Sequence, residues 1–458
     1  MTNAPAGPMS APYRLVTLAV ISLVTIIAFE AMAISTAMPV VARELDAVRS
    51  YGLAFSIMLT AELLGIVISG MWSDRDGPVR PLIVGQLLFA AGSIIAGLAV
   101  NFPMLLVGRL VTGLGAGLGI VALYVVIGRA YPHALRPRVF SWMSAAWVLP
   151  ALIGPPVAGV VTTTWSWRWV FLLAVVPVAV TFVIVVARRR QIAGEAVVAT
   201  TADRSSHRTI AATGLVVAVS AGVMQVGAER LVPFSVIAIG ATVLGVIGLV
   251  LAVPSLVPRG SARMTRGLPS VMASRFLLTG TFNGAMTFVP LMLVTERGLS
   301  PGLAGLMLTV GSLGWTLGSY IQGNALYAER KPALVSAGGG FLAAGILVLA
   351  GVAAFDLDSL VVGVGAVLAG LGMGLATAST SVLALSLSRP EEYGSAGSSL
   401  NISDVLGSVI GLSVAGAVFA AFHDPGGSDV PVFVLMWAGL AATALLVIPG
   451  GRRAKASA

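Results

Sequence analysis

The sequence predicts an all-α protein that crosses a membrane many times, and three observations lead to this fold class. Hydrophobic residues make up 57% of the 458 residues, charged residues only 10%, and the mean hydropathy is +0.98. A water-soluble fold of this length does not bury so much apolar surface. The apolar runs are mostly about 18 to 26 residues long, which suits helices that cross roughly 30 Å of hydrocarbon. The short alternating segments of a membrane barrel do not occur.

Fourteen spans are predicted, because fourteen apolar segments are bounded by charges. They are Leu15–Val41, Tyr51–Trp72, Pro81–Val100, a segment that begins at Pro103, Val139–Thr163, Trp167–Arg188, Ile210–Val226, Val232–Val253, Leu268–Val294, Gly302–Gln322, Pro332–Ala353, Leu360–Leu387, Ala396–Phe422 and Pro431–Ile448. Residues 1–190 form a first bundle of six, and residues 267–458 a second bundle of six. Between them, residues 191–266 hold a polar cytoplasmic linker, Gln191–Arg208, and two additional helices.

The distribution of charge sets the expected orientation. The net charge is +9, and about twenty of the 27 Lys and Arg residues fall in alternate loops, as the positive-inside rule describes. Both termini are therefore expected in the cytoplasm, and a nucleic-acid partner is not. No removable signal peptide is expected, because no small-residue cleavage site follows a short apolar core. The chain has no cysteine, which excludes disulfides and thiol chemistry.

An internal repeat relates the two bundles. WVLPALIGPPVAGVV, from Trp147, aligns without gaps with DVLGSVIGLSVAGAV, from Asp404, and the same offset superposes Gly113-Leu-Gly-Ala-Gly-Leu on Gly370-Leu-Gly-Met-Gly-Leu. The fourth and fifth spans thus recur as the twelfth and thirteenth. Similar composition among helices rich in small residues is the alternative explanation.

A charged loop follows the second span and reads GMWSDRDGPVR from Gly70 to Arg80. Gly70 is expected to let helices pack closely, Gly77 to make the turn, and Asp74 to face a helix N-terminus, while Arg75 and Arg80 can bind lipid phosphate or carboxylates. This pattern resembles the loop between helices 2 and 3 of the major facilitator superfamily. The resemblance implies a secondary transporter in which this loop holds the two halves together on the cytoplasmic side. An ordinary charged turn is the alternative.

Three further segments carry the same resemblance. The fifth span is similar to the antiporter motif of the exporters in this family, where a proline bends the helix and small residues permit close crossing. Gly154, Pro155 and Gly159 match the motif, whereas Pro150 and Ala158 replace two of its glycines. A purely structural kink is the other explanation. AFEAMAISTAMPVV in the first span resembles a signature of fourteen-span drug:proton antiporters, with Glu30 at the position of an aspartate. LLVGRLVTGLGAG resembles the Arg-x-x-x-Gly motif, with Arg109 as its arginine.

Ionisable residues within the spans are the candidates for proton coupling, because a charge in hydrocarbon costs about 2.5 to 3.5 kcal/mol and usually faces a partner or a cavity. The candidates are Glu30, Arg109, Glu62 and Asp404. Exclusion from water favours the neutral form of a carboxyl group, and a nearby arginine opposes this. Family geometry implies that Glu30 and Arg109 are neighbours, either as a coupling site or as a structural ion pair. For Glu62 and Asp404 a structural role is the alternative, in the case of Asp404 a salt bridge with Arg275.

A substrate cavity of methionine, aromatic and small polar side chains is expected from helices of both bundles, since such side chains suit varied apolar ligands. The candidate lining residues are Phe29, Met32, Ser35, Tyr124, Phe282, Asn283, Met286, Met373 and Thr377.

The sequence therefore predicts a bacterial inner-membrane secondary transporter, not an enzyme, that exports small amphipathic or lipophilic compounds in exchange for protons. It is expected to act as a monomer in the lipid bilayer without a cofactor or metal, since no nucleotide-binding loop and no cluster of metal ligands is present. A dedicated exporter of one metabolite, siderophore, lipid or antibiotic, a uniporter or importer, and a non-transporting scaffold or sensor are the alternatives.

Overall fold

Every regular element of the described chain is helical. The computed structural model describes residues 7–132, 134–193, 201–230, 235–389 and 393–455. The helices up to residue 229 are α1 (Arg14–Glu44), α2 (Tyr51–Asp76), α3 (Val79–Gly97), α4 (Phe102–Ala130), α5 (Arg136–Ala145), α6 (Val148–Thr164), α7 (Arg168–Leu172), α8 (Val175–Ala187), α9 (Arg189–Ala193) and α10 (Thr201–Glu229). The remaining helices are α11 (Val236–Ala252), α12 (Leu268–Met286), α13 (Val289–Thr295), α14 (Pro301–Gly323), α15 (Lys331–Ala354), α16 (Val361–Ser386), α17 (Tyr393–Phe422), α18 (Val430–Leu445) and α19 (Val447–Arg453). A helix satisfies its own backbone hydrogen bonds, which hydrocarbon requires.

Within the described residues, 12 helices are long and apolar enough to cross a membrane. The predicted count of fourteen is therefore not supported by length and composition. The two segments that do not qualify are α14, in which glycines, serines and threonines lower the hydropathy, and α10, whose apolar part Ala212–Ala228 is short. Both segments are nevertheless helical.

The chain divides into two compact units. The first contains residues 1–46 and 57–218, and the second contains residues 47–56 and 219–458. The first turns of α2 thus belong to the second unit, where the Tyr51 hydroxyl donates to the Thr287 carbonyl oxygen at 2.9 Å. The predicted division at residues 190 and 266 stays a prediction.

Prolines place the breaks in four predicted spans. A proline lacks an N–H, and its ring clashes with the carbonyl four residues earlier. The fifth span breaks after α5, which ends five residues before Pro150. In the other three spans the helix also ends four or five residues before a proline. These three breaks separate α7 from α8 before Pro177, α12 from α13 before Pro290, and α18 from α19 before Pro449.

The linker predicted at Gln191–Arg208 is partly helical. Helix α10 is described from Thr201, and no glycine or proline interrupts it between Thr201 and Thr213. Residues 194–200 lie outside the described part of the chain.

Glycines set the spacing around α4 in the first unit. A Cβ atom added at Gly113 would overlap the Met58 carbonyl of α2, and one at Gly117 would overlap the Glu62 carbonyl. On the neighbouring face, an added Cβ at Gly115 would overlap the backbone of Phe89 in α3. Two helices therefore approach α4 at backbone distance, which only glycine permits.

The second unit repeats this arrangement around α16. A Cβ added at Gly370 would overlap the Gly311 carbonyl of α14, one at Gly374 the Trp315 carbonyl, and one at Gly372 the Gly338 carbonyl of α15. Gly370, Gly372 and Gly374 are the counterparts of Gly113, Gly115 and Gly117 in the sequence repeat. The helical packing thus agrees with the repeat, and α14 holds the place in its unit that α2 holds in the first.

We expect Gly117→Ala to lower the free energy of unfolding by about 1 to 3 kcal/mol, because the added methyl group must push α2 away. The control is Gly119→Ala on the same helix, where no described atom lies within 4 Å of the added Cβ. Gly119→Ala should be neutral or stabilise the protein by about 0.5 to 1 kcal/mol. Thermal unfolding of the purified protein in detergent compares the two, and equal midpoints would contradict the close α2–α4 packing.

Candidate ion-coupling site

Helices α1 and α4 bring Glu30 and Arg109 together inside the first unit. The Arg109 side chain donates through Nη1 to Oε1 of Glu30. Both residues are enclosed, with 1% and 2% of their surfaces exposed, respectively. The other carboxylate oxygen of Glu30, Oε2, is buried and accepts no hydrogen bond from any described residue. The neighbours predicted from the family resemblance are thus in contact, in the geometry of a buried ion pair.

A second carboxyl group lies near this pair. Glu62, on α2, interacts electrostatically with both Glu30 and Arg109. It is partly exposed and forms no ion pair within the described residues. Two carboxyl groups therefore share the field of one guanidinium group. With both acids ionised, the cluster carries one uncompensated negative charge.

The Gly70–Arg80 loop is organised by an acid other than the predicted one. Asp76 accepts from Arg80 Nη1 and from Trp72 Nε1, both at 3.1 Å, and its Oδ1 lies 3.7 Å from Arg75 Nε. Gly77 makes the turn as predicted, with a φ of +80° that strains other residues. The reason given for Gly70 is wrong in this structure, because no described atom lies within 4 Å of a Cβ added there. Asp74 also has an interaction partner, but Asp76 makes the described contacts of the loop.

The segment that resembles an antiporter motif packs on α1. A Cβ added at Gly154 would lie 3.4 Å from Met32 Cβ and 3.7 Å from Phe29 Cδ2. Pro150 and Pro155 are buried, and Gly159 is buried with them. Pro150 accounts for the break before α6, whereas Pro155 lies within that helix. The small face of α6 therefore lies against the turn of α1 that precedes Glu30 and the turn that follows it.

Arg275 and Asp404 form the second ion pair within the spans, between α12 and α17. The guanidinium group donates from Nε and Nη2 to the two Asp404 oxygens, and from Nη1 to the Thr377 carbonyl at 2.7 Å and Thr380 Oγ1 at 3.3 Å. These are the contacts of the structural salt bridge named as the alternative. A coupling role for Asp404 stays a prediction.

The candidate cavity residues fall into two groups. Met32 and Tyr124 have exposed side chains, and Phe29, Ser35, Phe282 and Asn283 are partly exposed. The other three residues, Met286, Met373 and Thr377, are enclosed within the second unit. Asn283 also has a structural contact, since its Nδ2 donates to Ser408 Oγ at 3.0 Å. The assignment of these residues to a cavity stays a prediction.

Sequence reasoning missed a histidine–aspartate contact. His423 Nδ1 lies 2.7 Å from Asp429 Oδ2, and Asp429 is 4% exposed. The Glu296 carboxylate accepts from Ser428 Oγ at 2.6 Å and from the Asp429 N–H at 3.3 Å. The sequence predicts a loop between Phe422 and Pro431, but nothing in the sequence pairs this loop with Glu296.

A sequence profile of the Major Facilitator Superfamily matches residues 20–412. The chain belongs to the Major Facilitator Superfamily. Members are transporters, so the chain is a multi-pass membrane transporter and not an enzyme.

Relatives within this superfamily are distant. The chain is 28% identical to the multidrug efflux pump SdrM of Staphylococcus aureus over 36% of its length and 38% of SdrM. It is 26% identical to the MFS transporter L2 of Phoma sp. over 71% of its length and 56% of that protein. The matches thus span well under two thirds of these two relatives. The multidrug transporter protein MdtP of Bacillus subtilis is 24% identical over 86% of the chain and 73% of MdtP.

Solved structures show the same superfamily fold. A POT family transporter in complex with 5-aminolevulinic acid has a TM-score of 0.71 and 15% identity, and the alignment covers 96% of both chains. An auto-inhibited POT family peptide transporter has a TM-score of 0.68 and 15% identity over 96% of this chain and 98% of that chain. At this identity the likeness concerns the fold alone.

We expect Arg109→Met to cost about 3 to 5 kcal/mol of stability, because it leaves the Glu30 carboxylate enclosed without its partner. The double variant Glu30→Gln, Arg109→Met should cost less than Arg109→Met alone, since it removes both charges. Arg80→Gln is the control, because the exposed Arg80–Asp76 pair should contribute only about 0 to 1 kcal/mol. Thermal unfolding measures all three. If Arg109→Met lowers the stability no more than Arg80→Gln does, the Glu30–Arg109 pair is not buried in the purified protein.

Proposed function

We propose that this transporter exports small amphipathic or lipophilic compounds, including cations, in exchange for protons. The observation that carries the proposal is the enclosed Glu30–Arg109 pair with Glu62 beside it. Two carboxyl groups and one guanidinium group leave room for one more positive charge. Either a proton on a carboxyl group or a cationic cargo molecule supplies it, and occupancy by one disfavours the other.

This competition couples the two flows. A proton that binds to the cluster neutralises its charge and releases a cation, and a cation that binds favours loss of the proton. Exposure of the cluster to each side of the membrane in turn then exchanges one for the other. One elementary charge that moves through 100 mV releases about 2.3 kcal/mol, which is sufficient to drive uphill export.

Two exposed side chains and two of the relatives support a broad range of cargo molecules. Met32 and Tyr124 present a polarisable and an aromatic side chain on the exposed faces of α1 and α4, and such side chains adapt to varied apolar ligands. Two of the relatives, SdrM and MdtP, are named as multidrug transporters. We propose the bacterial inner membrane as the location, with both termini in the cytoplasm.

We expect Glu30→Gln and Arg109→Gln to reduce proton-driven dye transport to near background in proteoliposomes with an imposed pH gradient, because each removes one of the charges of the cluster. Glu62→Gln should remove the effect of pH on dye binding. Glu44→Gln is the control, since Glu44 ends the same helix in a partly exposed pair with Arg168. Equal proton-driven flux in wild type and Glu30→Gln would rule out the coupling site. Transport of a single compound from a panel of dyes and metabolites would indicate a dedicated exporter.

We also propose that all fourteen apolar segments cross the membrane. The support is that α14 packs on α16 through the same glycine contacts that join α2 to α4. The alternation of basic loops along the sequence fits the same count.

Cysteine labelling tests this topology cleanly, because the natural chain has no cysteine. If α14 crosses, Ser300→Cys and Leu326→Cys are labelled by a membrane-impermeant maleimide from opposite sides. If α10 crosses, Arg190→Cys and Arg230→Cys behave in the same way. Labelling of one pair from a single side would give thirteen spans, and labelling of both pairs in this way would give twelve.

A further inference from the structure

A basic pocket lies at one end of the first unit, outside the coupling site. Its volume is about 520 Å³, and it opens where α2, α3, α4 and α9 end or begin. The residues that line it are Asp74, Arg75, Asp76, Gly77, Val79, Arg80, Arg129, Arg189, Arg190 and Ala193. Five of these side chains are guanidinium groups and two are carboxylates.

The acids do not compensate this charge. Asp76 is bound to Arg75 and Arg80. Arg129 donates only to a neutral oxygen, the Ser73 carbonyl at 3.4 Å, in the described contacts. Arg189 and Arg190 form no ion pair with any residue that the structure describes. The pocket therefore holds several guanidinium groups whose charge an added anion can neutralise.

The position of the pocket indicates which anion it meets. Helix α2 ends at Asp76, α3 begins at Val79, α4 ends at Ala130 and α8 ends at Ala187. Four spans thus begin or end beside it, so the pocket lies at the level where a bilayer presents its phosphate groups. The charge distribution of the sequence places this end in the cytoplasm, and the cytoplasmic leaflet carries the anionic lipids.

We propose that this pocket binds a phosphoryl group, carried by the headgroup of an anionic phospholipid, between Arg129 of α4 and the Arg189–Arg190 pair of α9. A guanidinium group donates two parallel hydrogen bonds to two phosphate oxygens, which a lysine cannot do. The bound lipid ties α9 to the loop between α2 and α3. This site does not depend on the cargo or on proton coupling.

The test uses the full-length protein, purified and delipidated in a neutral detergent. Binding of dihexanoyl phosphatidylglycerol, dihexanoyl phosphatidylcholine and inorganic phosphate is measured by calorimetry at low and high salt. Phosphatidylglycerol should bind more tightly than phosphatidylcholine, and salt should weaken its binding. The double variant Arg189→Gln, Arg190→Gln should weaken it by roughly tenfold or more.

Two controls separate the site from general charge and from misfolding. The double variant Arg452→Gln, Arg453→Gln removes another exposed adjacent pair at the end of α19 and should leave binding unchanged. The variant Arg189→Lys, Arg190→Lys keeps the charge and should restore part of the affinity, which a folding defect would not allow.

The three binding measurements also identify the molecule that carries the phosphoryl group. Tighter binding of phosphatidylglycerol than of inorganic phosphate assigns the site to a lipid, and equal binding assigns it to a free phosphate. Equal affinity for phosphatidylglycerol and phosphatidylcholine, or no change in the Arg189→Gln, Arg190→Gln variant, would overturn the proposal.

Discussion

Hydrocarbon offers neither hydrogen bonds nor screening, so every charge between the two membrane surfaces must be balanced by the protein itself. The two units meet this constraint differently. In the second unit Arg275 directs donors to both Asp404 oxygens and to two further oxygens on α16. In the first unit Arg109 faces Glu30 with Glu62 in reach, and the balance is incomplete. The second pair joins α12 to α17, whereas the first cluster is the one that a proton or a cation completes in the mechanism that we propose.

Close helix packing holds the charged side chains of both units in place. Glycines of α4 and α16 bring neighbouring helices to backbone distance, and the same set of positions serves both units. Close contact on two faces fixes the orientation of α4, and therefore the direction in which Arg109 points. Prolines interrupt the helices, since the helix before each of the four breaks ends four or five residues before a proline.

Much of the fold could be predicted from the sequence. The lengths of the apolar runs and the charges that bound them gave the helices, because the bilayer fixes both. Whether α14 crosses could not be decided by hydropathy, since the glycines that allow α14 to pack on α16 also make it less apolar. The breaks were not predicted either, although prolines mark them. A proline inside an apolar run indicates a kink or a break alike, and Pro39 and Pro155 stand within continuous helices.

The charged residues of the candidate site could be predicted within the apolar spans, where few other residues are ionisable. Glu30 and Arg109 stand out in apolar spans, and the family resemblance paired them. In the last turn of α2, two aspartates stand two residues apart, and the turn at Gly77 brings Asp76 to Arg80. A sequence pattern shows which residue types occur and how far apart they stand. It does not show in which direction a side chain points next to a turn with positive φ.

The glycine contacts around α4 have a consequence for how such a transporter diversifies. On its faces toward α2 and α3, α4 places Gly113, Gly115 and Gly117 at backbone distance from the neighbouring helices, so any larger residue at these positions would push a helix away. A substitution that changes the surface of α4 without moving a neighbouring helix is therefore expected on the remaining side of the helix, where Tyr124 lies exposed.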